Sequence, residues 1–236
     1  MCDDCDIVLD QAAVGQTVEN FKMKVFDPEE GGFGEIELAD IMAAGKWTVL
    51  VFYPADFTFV CPTELADLAA KHEELKKLGC EVLSVSTDTE FAHLAWKQSE
   101  KLLEKVRFKM AADTNGAVSS YFGVYDCETG LALRGTFIIS PDGLLVSSEV
   151  NFYNVGRNAD ELLRKVEACV YLKDHPAEAC PAKSAARRQD PHPLRKARGQ
   201  GLRGAAQVAG DGLRRPGGVA PWTPQQGRRP CTPPGG

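Results

Sequence analysis

Cys61 is the residue of this chain best placed to do chemistry, because it stands where a strand ends and a helix begins. Upstream, Thr48-Val49-Leu50-Val51-Phe52-Tyr53 is a continuous β-branched and aromatic run, the pattern of a strand buried on both faces. Downstream, Leu65, Leu68, Ala69, Leu75 and Leu78 recur at helical spacing, Pro62 suits the first helical position and Gly79 is a stop signal. A thiol at that junction meets the unpaired N–H groups and the positive dipole end of the helix, which favour the thiolate, the nucleophilic form. An isolated cysteine at a helix start usually packs as a small hydrophobe. Pro54 and Thr58, at fixed spacing before Cys61, favour the reactive reading instead.

Other residue types point to the same kind of centre. Arg134 interrupts the apolar run Ala132-Leu133-Arg134-Gly135-Thr136-Phe137-Ile138-Ile139, where a charge needs either a partner or an edge position. Glu64 falls in the first turn of the helix after Cys61, where an acid complements the dipole. Arg157 lies just before a further helical segment, in a position that a surface arginine could also occupy. Of the remaining cysteines, Cys80 and Cys169 sit on apolar faces and read as core, and Cys127 and Cys231 have no positioned partner. Cys2-x-x-Cys5 has metal-ligand or redox spacing, but no second pair, nearby His or preceding strand completes a site.

The pattern P-x-x-x-T-x-x-C, here Pro54, Thr58 and Cys61, resembles the signature of the peroxiredoxins. Its continuation Cys61-Pro62-Thr63-Glu64-Leu65 is similar to the typical two-cysteine subfamily that includes the alkyl hydroperoxide reductase C subunits. Arg134-Gly135-Thr136-Phe137-Ile138 and the stretch from Gly156 to Arg164 resemble two further motifs of that family, and Ala179-Cys180-Pro181 resembles its resolving-cysteine segment.

The resemblance implies a thioredoxin-like fold and a thiol-dependent peroxidase. Cys61 would take oxygen from hydrogen peroxide or a small organic hydroperoxide and become a sulfenic acid. Arg134 would lie against its sulfur, Thr58 would bond thiolate and peroxide, and Glu64 would pair with the pocket arginines, Arg157 among them. Cys180 of a partner subunit would resolve the sulfenic acid as an intermolecular disulfide in an antiparallel homodimer, which in this family assembles into decamers. Thioredoxin or a flavoprotein disulfide reductase would restore the thiols. A holdase or redox-signalling role is the alternative that the same resemblance leaves open. No cofactor is implied: no metal, haem or flavin site and no G-x-G-x-x-G loop is visible.

The elements that must position these residues belong to one domain. Residues 1–183 carry 17 Lys+Arg against 31 Asp+Glu, whereas residues 184–236 carry 10 against 2, so the net charge of −6 averages two unlike pieces. The second piece holds 10 Gly and 8 Pro in 53 residues with only five Leu, Val, Ile or Phe, a composition that cannot offset its ordering entropy and reads as disordered. Its arginines are scattered without a binding fold, so no nucleic-acid partner is expected. The jump at one residue, where the family resemblance also stops, reads as a reading-frame shift in GC-rich coding sequence rather than a selected extension. The acidic opening and the lack of an 18-residue apolar run suggest a cytoplasmic protein with no membrane partner.

Within residues 1–183, strands at 21–26 and 34–38 precede the 48–53 strand, the Cys61 helix and a strand at 80–87. A helix over about 89–105, capped by Thr87 or Asp88, follows, then an extended segment at 108–111 and a brief helix at 117–122. A hairpin of 131–140 with 144–152 and a last helix from Gly156 or Asn158 to about Leu172 complete an α/β fold: a central mixed sheet flanked by helices. The resolving-cysteine arm lies near 173–183.

Overall fold

The computed structural model describes residues 11–182. The expectations for Cys2, Cys5, Cys231 and residues 184–236 fall outside the described residues. The order of elements is β1 Lys22–Asp27, β2 Gly32–Glu37, α1 Leu38–Ala43, β3 Trp47–Phe52, α2 Cys61–Lys77, β4 Cys80–Ser86 and α3 Glu90–Ser99. After a 3-10 turn at Lys101–Lys105 come β5 Lys109–Ala112, α4 Ala117–Tyr121, β6 Tyr125–Asp126, β7 Leu131–Ala132, β8 Arg134–Ile139, β9 Leu145–Asn151 and α5 Ala159–Asp174. Seven strands form one mixed sheet in the order β2-β1-β5-β4-β3-β8-β9. β3, β4 and β5 run parallel, and the remaining pairs are antiparallel.

The apolar run of β3 is explained by burial on both faces. Trp47, Val49 and Val51 join a cluster with Leu65, Leu68 and Leu75 of α2 and Leu162, Leu163 and Val166 of α5. Leu50 and Phe52 join a second cluster with Leu38 and Ile41 of α1 and with Val118 and Phe122 beside α4. Each fully buried side chain of this size contributes about 1.5–3 kcal/mol of transfer free energy. α2 therefore has a fixed seat against the sheet, which fixes where its first residue, Cys61, must lie. Lys76 and Lys77 complement its C-terminal end, and Gly79, at φ +77°, turns the chain into β4.

Three sequence expectations are corrected. The helix after β4 is capped by Thr89, whose side chain accepts from the Ala92 N–H, and it stops at Ser99, where the extended backbone of Glu100 breaks the run before the 3-10 turn. The strand expected over 131–140 is two strands: Leu131–Ala132 pairs with β6 in a separate small sheet, and only Arg134–Ile139 enters the main one. The break falls at Leu133, whose N–H is drawn to the Val124 carbonyl at 2.7 Å. Cys127, expected to be unpartnered, is disulfide-bonded.

Candidate active site

The loop between β3 and α2 is held from below by a buried polar chain. The Tyr53 hydroxyl donates to Asp56 Oδ1 at 2.7 Å, Asp56 Oδ2 lies 2.8 Å from His93 Nδ1, and His93 Nε2 lies 3.2 Å from the Ala111 carbonyl oxygen. The Asp56 N–H donates to Asp88 Oδ2 at 2.8 Å, tying the loop to the end of β4 as well. Burial pushes the Asp56 carboxyl up, and the hydrogen bond and charge of His93 only partly counter it. The next residue, Phe57, takes φ +56°, a conformation that a non-glycine residue holds only when its surroundings impose it. This support has no signature in the sequence: an Asp before a Phe carries no sign that a His 37 residues later will meet it.

Above this support, Cys61 begins α2 and is fully buried. Its sulfur accepts from Arg134 Nη1 at 3.4 Å. Arg134 is itself buried on β8, where its Nε donates to the Tyr153 carbonyl at 2.7 Å and its Nη1 also donates to Glu64 Oε2. Glu64 is the hub. It further accepts from the backbone N–H of Arg157 at 2.8 Å, from Arg157 Nε at 2.9 Å and from Arg157 Nη2 at 3.2 Å. Arg157 Nη1 continues to the Gly135 carbonyl at 2.7 Å and to Thr136 Oγ1 at 3.1 Å. Burial pushes the Glu64 carboxyl up, but the hydrogen bonds and charge of Arg157, with the charge of Arg134, more than offset it and hold the group below its ordinary value.

The arrangement places two guanidiniums and one carboxylate around one thiol, leaving a net positive surplus beside the sulfur. It also explains why Arg134 is tolerated inside an apolar strand, since its charge is paired and its donors are directed. Gly135 keeps that strand close to its neighbours: a Cβ there would lie 2.7 Å from Phe137 and 2.8 Å from Val124 side-chain atoms.

Cys61, Glu64, Arg134 and Arg157 thus converge, and Pro54 is buried at the bend that opens the loop. Thr58 lies in the same loop, but its hydroxyl donates to the Ala55 carbonyl at 3.0 Å rather than to Cys61. Cys180 is elsewhere. Its arm leaves α5 near Lys173, whose Nζ lies 6.0 Å from the Trp47 ring, and Trp47 opens β3 in register with Cys80. Cys61 follows the opposite end of β3, five residues and roughly 16 Å along the sheet.

Residues 14–148 match the AhpC/TSA family. The chain belongs to the AhpC/TSA family. Alkyl hydroperoxide reductase C of Staphylococcus aureus is 45% identical over 170 residues, which cover 72% of this chain and 89% of that protein. Among solved structures, Enterococcus faecalis AhpC aligns with a TM-score of 0.68 at 40% identity, over 72% of this chain and all of that one. The reduced 2-Cys peroxiredoxin of Plasmodium vivax aligns with a TM-score of 0.69 at 29% identity, over 74% of this chain and 90% of that one. The mixed sheet with its flanking helices is the thioredoxin-like fold that these AhpC/TSA relatives share.

Proposed function

We propose that this chain is a thiol-dependent peroxidase that reduces hydrogen peroxide and small organic hydroperoxides. The observation that carries the reading is the Arg134 guanidinium held 3.4 Å from a buried Cys61 sulfur at the first turn of a helix. Both features favour negative charge on that sulfur. The sulfur attacks the terminal peroxide oxygen, so the S–O bond forms as the O–O bond breaks, and the departing oxygen leaves as hydroxide or alkoxide and takes up a proton. Arg134, fixed by Glu64 and the Tyr153 carbonyl, stabilises that developing charge without having to reorganise. Arg157 acts through Glu64, and Thr58 and Pro54 shape the loop side of the pocket, where the Thr58 hydroxyl orients the peroxide.

The sulfenic acid on Cys61 condenses with Cys180 of a second copy, forming a disulfide and releasing water, which prevents further oxidation to irreversible states. A homodimer is supported by the edge of the sheet. β9 closes one side of the sheet, and Val150, Phe152 and Val155, on and beyond it, are 46%, 60% and 55% exposed. Exposed Phe57 and Phe59 beside the Cys61 loop offer a second apolar patch for dimers to join as a decamer. Thioredoxin or a flavoprotein disulfide reductase then reduces the disulfide by exchange, in a cytoplasmic setting where such reductants work.

Peroxide consumption measured with thioredoxin and its reductase, and separately with a flavoprotein disulfide reductase, tests the reading. Turnover is expected with at least one of them and is abolished in Cys61→Ser. Near-wild-type turnover in that variant overturns the assignment.

A further inference from the structure

The chain turns back on itself after α5. The Glu178 N–H donates to the His175 carbonyl at 3.0 Å, the His175 ring stacks on Tyr171 at 4.1 Å, and the Tyr171 hydroxyl donates to Glu178 Oε2 at 2.9 Å. The arm therefore runs back along the helix with Glu178 beside Tyr171. Two residues further along the arm is Cys180, and two residues further back on the helix is Cys169. Both are free thiols, and both are partly exposed. Burial and then the neighbouring Cys180 sulfur push the Cys169 thiol up. Arg164, clamped by Glu161 at 2.6 and 2.7 Å, is raised chiefly by that acid and further by the Cys180 and Cys169 sulfurs, which places all three groups in one neighbourhood. Cys80 also borders Cys169, but burial pushes its thiol up to about 12 and keeps it protonated.

We propose that Cys169 and Cys180 form a second, intrachain redox couple at the end of the sheet remote from Cys61, through which a low-molecular-weight disulfide withdraws Cys180 from resolution. The proposal rests on Cys180 being the resolving thiol, but the couple itself forms without peroxide. Cys180, on the arm, attacks the small disulfide R–S–S–R, whereas Cys169 packs against the core cluster. One thiolate RS⁻ departs and takes up a proton, leaving Cys180–S–S–R. The Cys169 sulfur then attacks the Cys180 sulfur and displaces the second RS⁻. Two protein thiols have been oxidised to one disulfide, and R–S–S–R has been reduced to two RSH. The docked arm supplies the proximity, since the ten residues between the two cysteines need only a small closure once Glu178 is held to Tyr171.

The test treats the full wild-type chain, reduced and free of peroxide, with hydroxyethyl disulfide, followed by alkylation, trypsin and mass spectrometry. The expected product is the peptide 166–173 joined through Cys169 to the peptide 174–183 through Cys180, in more than half of the molecules. Cys169→Ser should instead retain the hydroxyethyl adduct on Cys180, and Cys61→Ser should give the wild-type product because Cys61 takes no part. A persistent adduct on Cys180 with Cys169 still open to alkylation, or a Cys80–Cys169 linkage in place of the expected one, overturns the proposal. Failure of the peroxidase reading would show separately, as a lack of turnover and of peroxide-induced covalent dimer in untreated wild type.

Discussion

Glu64→Gln is the perturbation that most directly probes the site, because it keeps the shape of the hub and removes its charge. Glu64 accepts four hydrogen bonds, three from Arg157 and one from Arg134. A glutamine has one oxygen, so if that oxygen keeps the Arg157 N–H and Nε, its amide nitrogen must face Arg134 Nη1 and Arg157 Nη2 donor to donor. Two charge-assisted bonds are lost, each contributing about 1.5–3 kcal/mol. The independent figure for breaking one side of a buried ion pair is about 3–5 kcal/mol, in the same range. We therefore expect Glu64→Gln to lose about 3–5 kcal/mol in equilibrium urea unfolding near neutral pH.

The pH dependence has a definite sign. The folded-state carboxyl of Glu64 lies below its ordinary value of 4.5, so its stabilising contribution is fully present above that pH and fades as the pH falls through the lowered folded value. The gap between wild type and Glu64→Gln should accordingly narrow below pH 4.5. Because Arg134 loses one of its anchors, oxidation of Cys61 followed by stopped-flow tryptophan fluorescence should slow by about tenfold or more, the cost of a misplaced transition-state donor. A loss of less than about 1 kcal/mol, or a gap that stays constant from pH 7 to pH 3, would refute the hub argument.

Three further outcomes are expected. Arg134→Lys keeps a charge but cannot donate at once to the Tyr153 carbonyl, Glu64 and the Cys61 sulfur; the circular dichroism spectrum should persist while the rate with peroxide falls, and an unchanged rate would count against Arg134 as the stabilising cation. Gly135→Ala forces a methyl to within 2.7–2.8 Å of Phe137 and Val124 and should lower stability by about 1–3 kcal/mol, read from the urea midpoint. Burial holds Cys80 protonated up to about pH 12, whereas the unfolded chain releases that proton near its ordinary value of 9.0, so stability should fall as pH rises through this window, by about 1.4 kcal/mol per unit; Cys80→Ala should show a correspondingly shallower loss between pH 8 and 10.

The reach of the sequence follows from what each element depends on. β3 and α2 were legible because burial on both faces of one and on one face of the other dictates their residue types, and Cys61 was legible because it sits between them. Arg134 was legible as an anomaly, a charge in an apolar strand that had to be either paired or at an edge. Its actual partners, Glu64 and the Tyr153 carbonyl, come from segments about 70 residues before and 19 after it, a distance over which local pattern carries no information. The split at Leu133 and the Tyr53–Asp56–His93 chain are not legible for the same reason: both are set by long-range hydrogen bonds rather than by periodicity. The Thr89 cap was misplaced by one or two residues because Thr87, Asp88 and Thr89 are all good caps, and the choice among them is made by the end of β4.

Under the proposed function, with Cys180 as the resolving thiol, the separation of Cys61 from Cys180 decides how the cycle closes. Within one chain the two lie near opposite ends of the sheet, and Cys169, which marks the position of the arm, is ten residues and roughly 15 Å along α5 from the end that meets α2 at Asp67. A disulfide requires Cα atoms within about 7 Å, so an intrachain bond would need the arm torn from Tyr171 and the end of α5 unwound. A two-fold dimer avoids this, because an isologous interface carries every contact twice and can set the near end of one chain against the far end of the other. Complementation then follows. Cys61→Ser alone and Cys180→Ser alone should each yield no peroxide-induced covalent dimer, but their mixture, after exchange of subunits, should yield one with a single intersubunit disulfide. If the mixture stays monomeric on non-reducing gels although subunit exchange is verified, or if peroxide-oxidised wild type runs as a monomer whose internal disulfide joins Cys61 to Cys180, the intersubunit route is wrong.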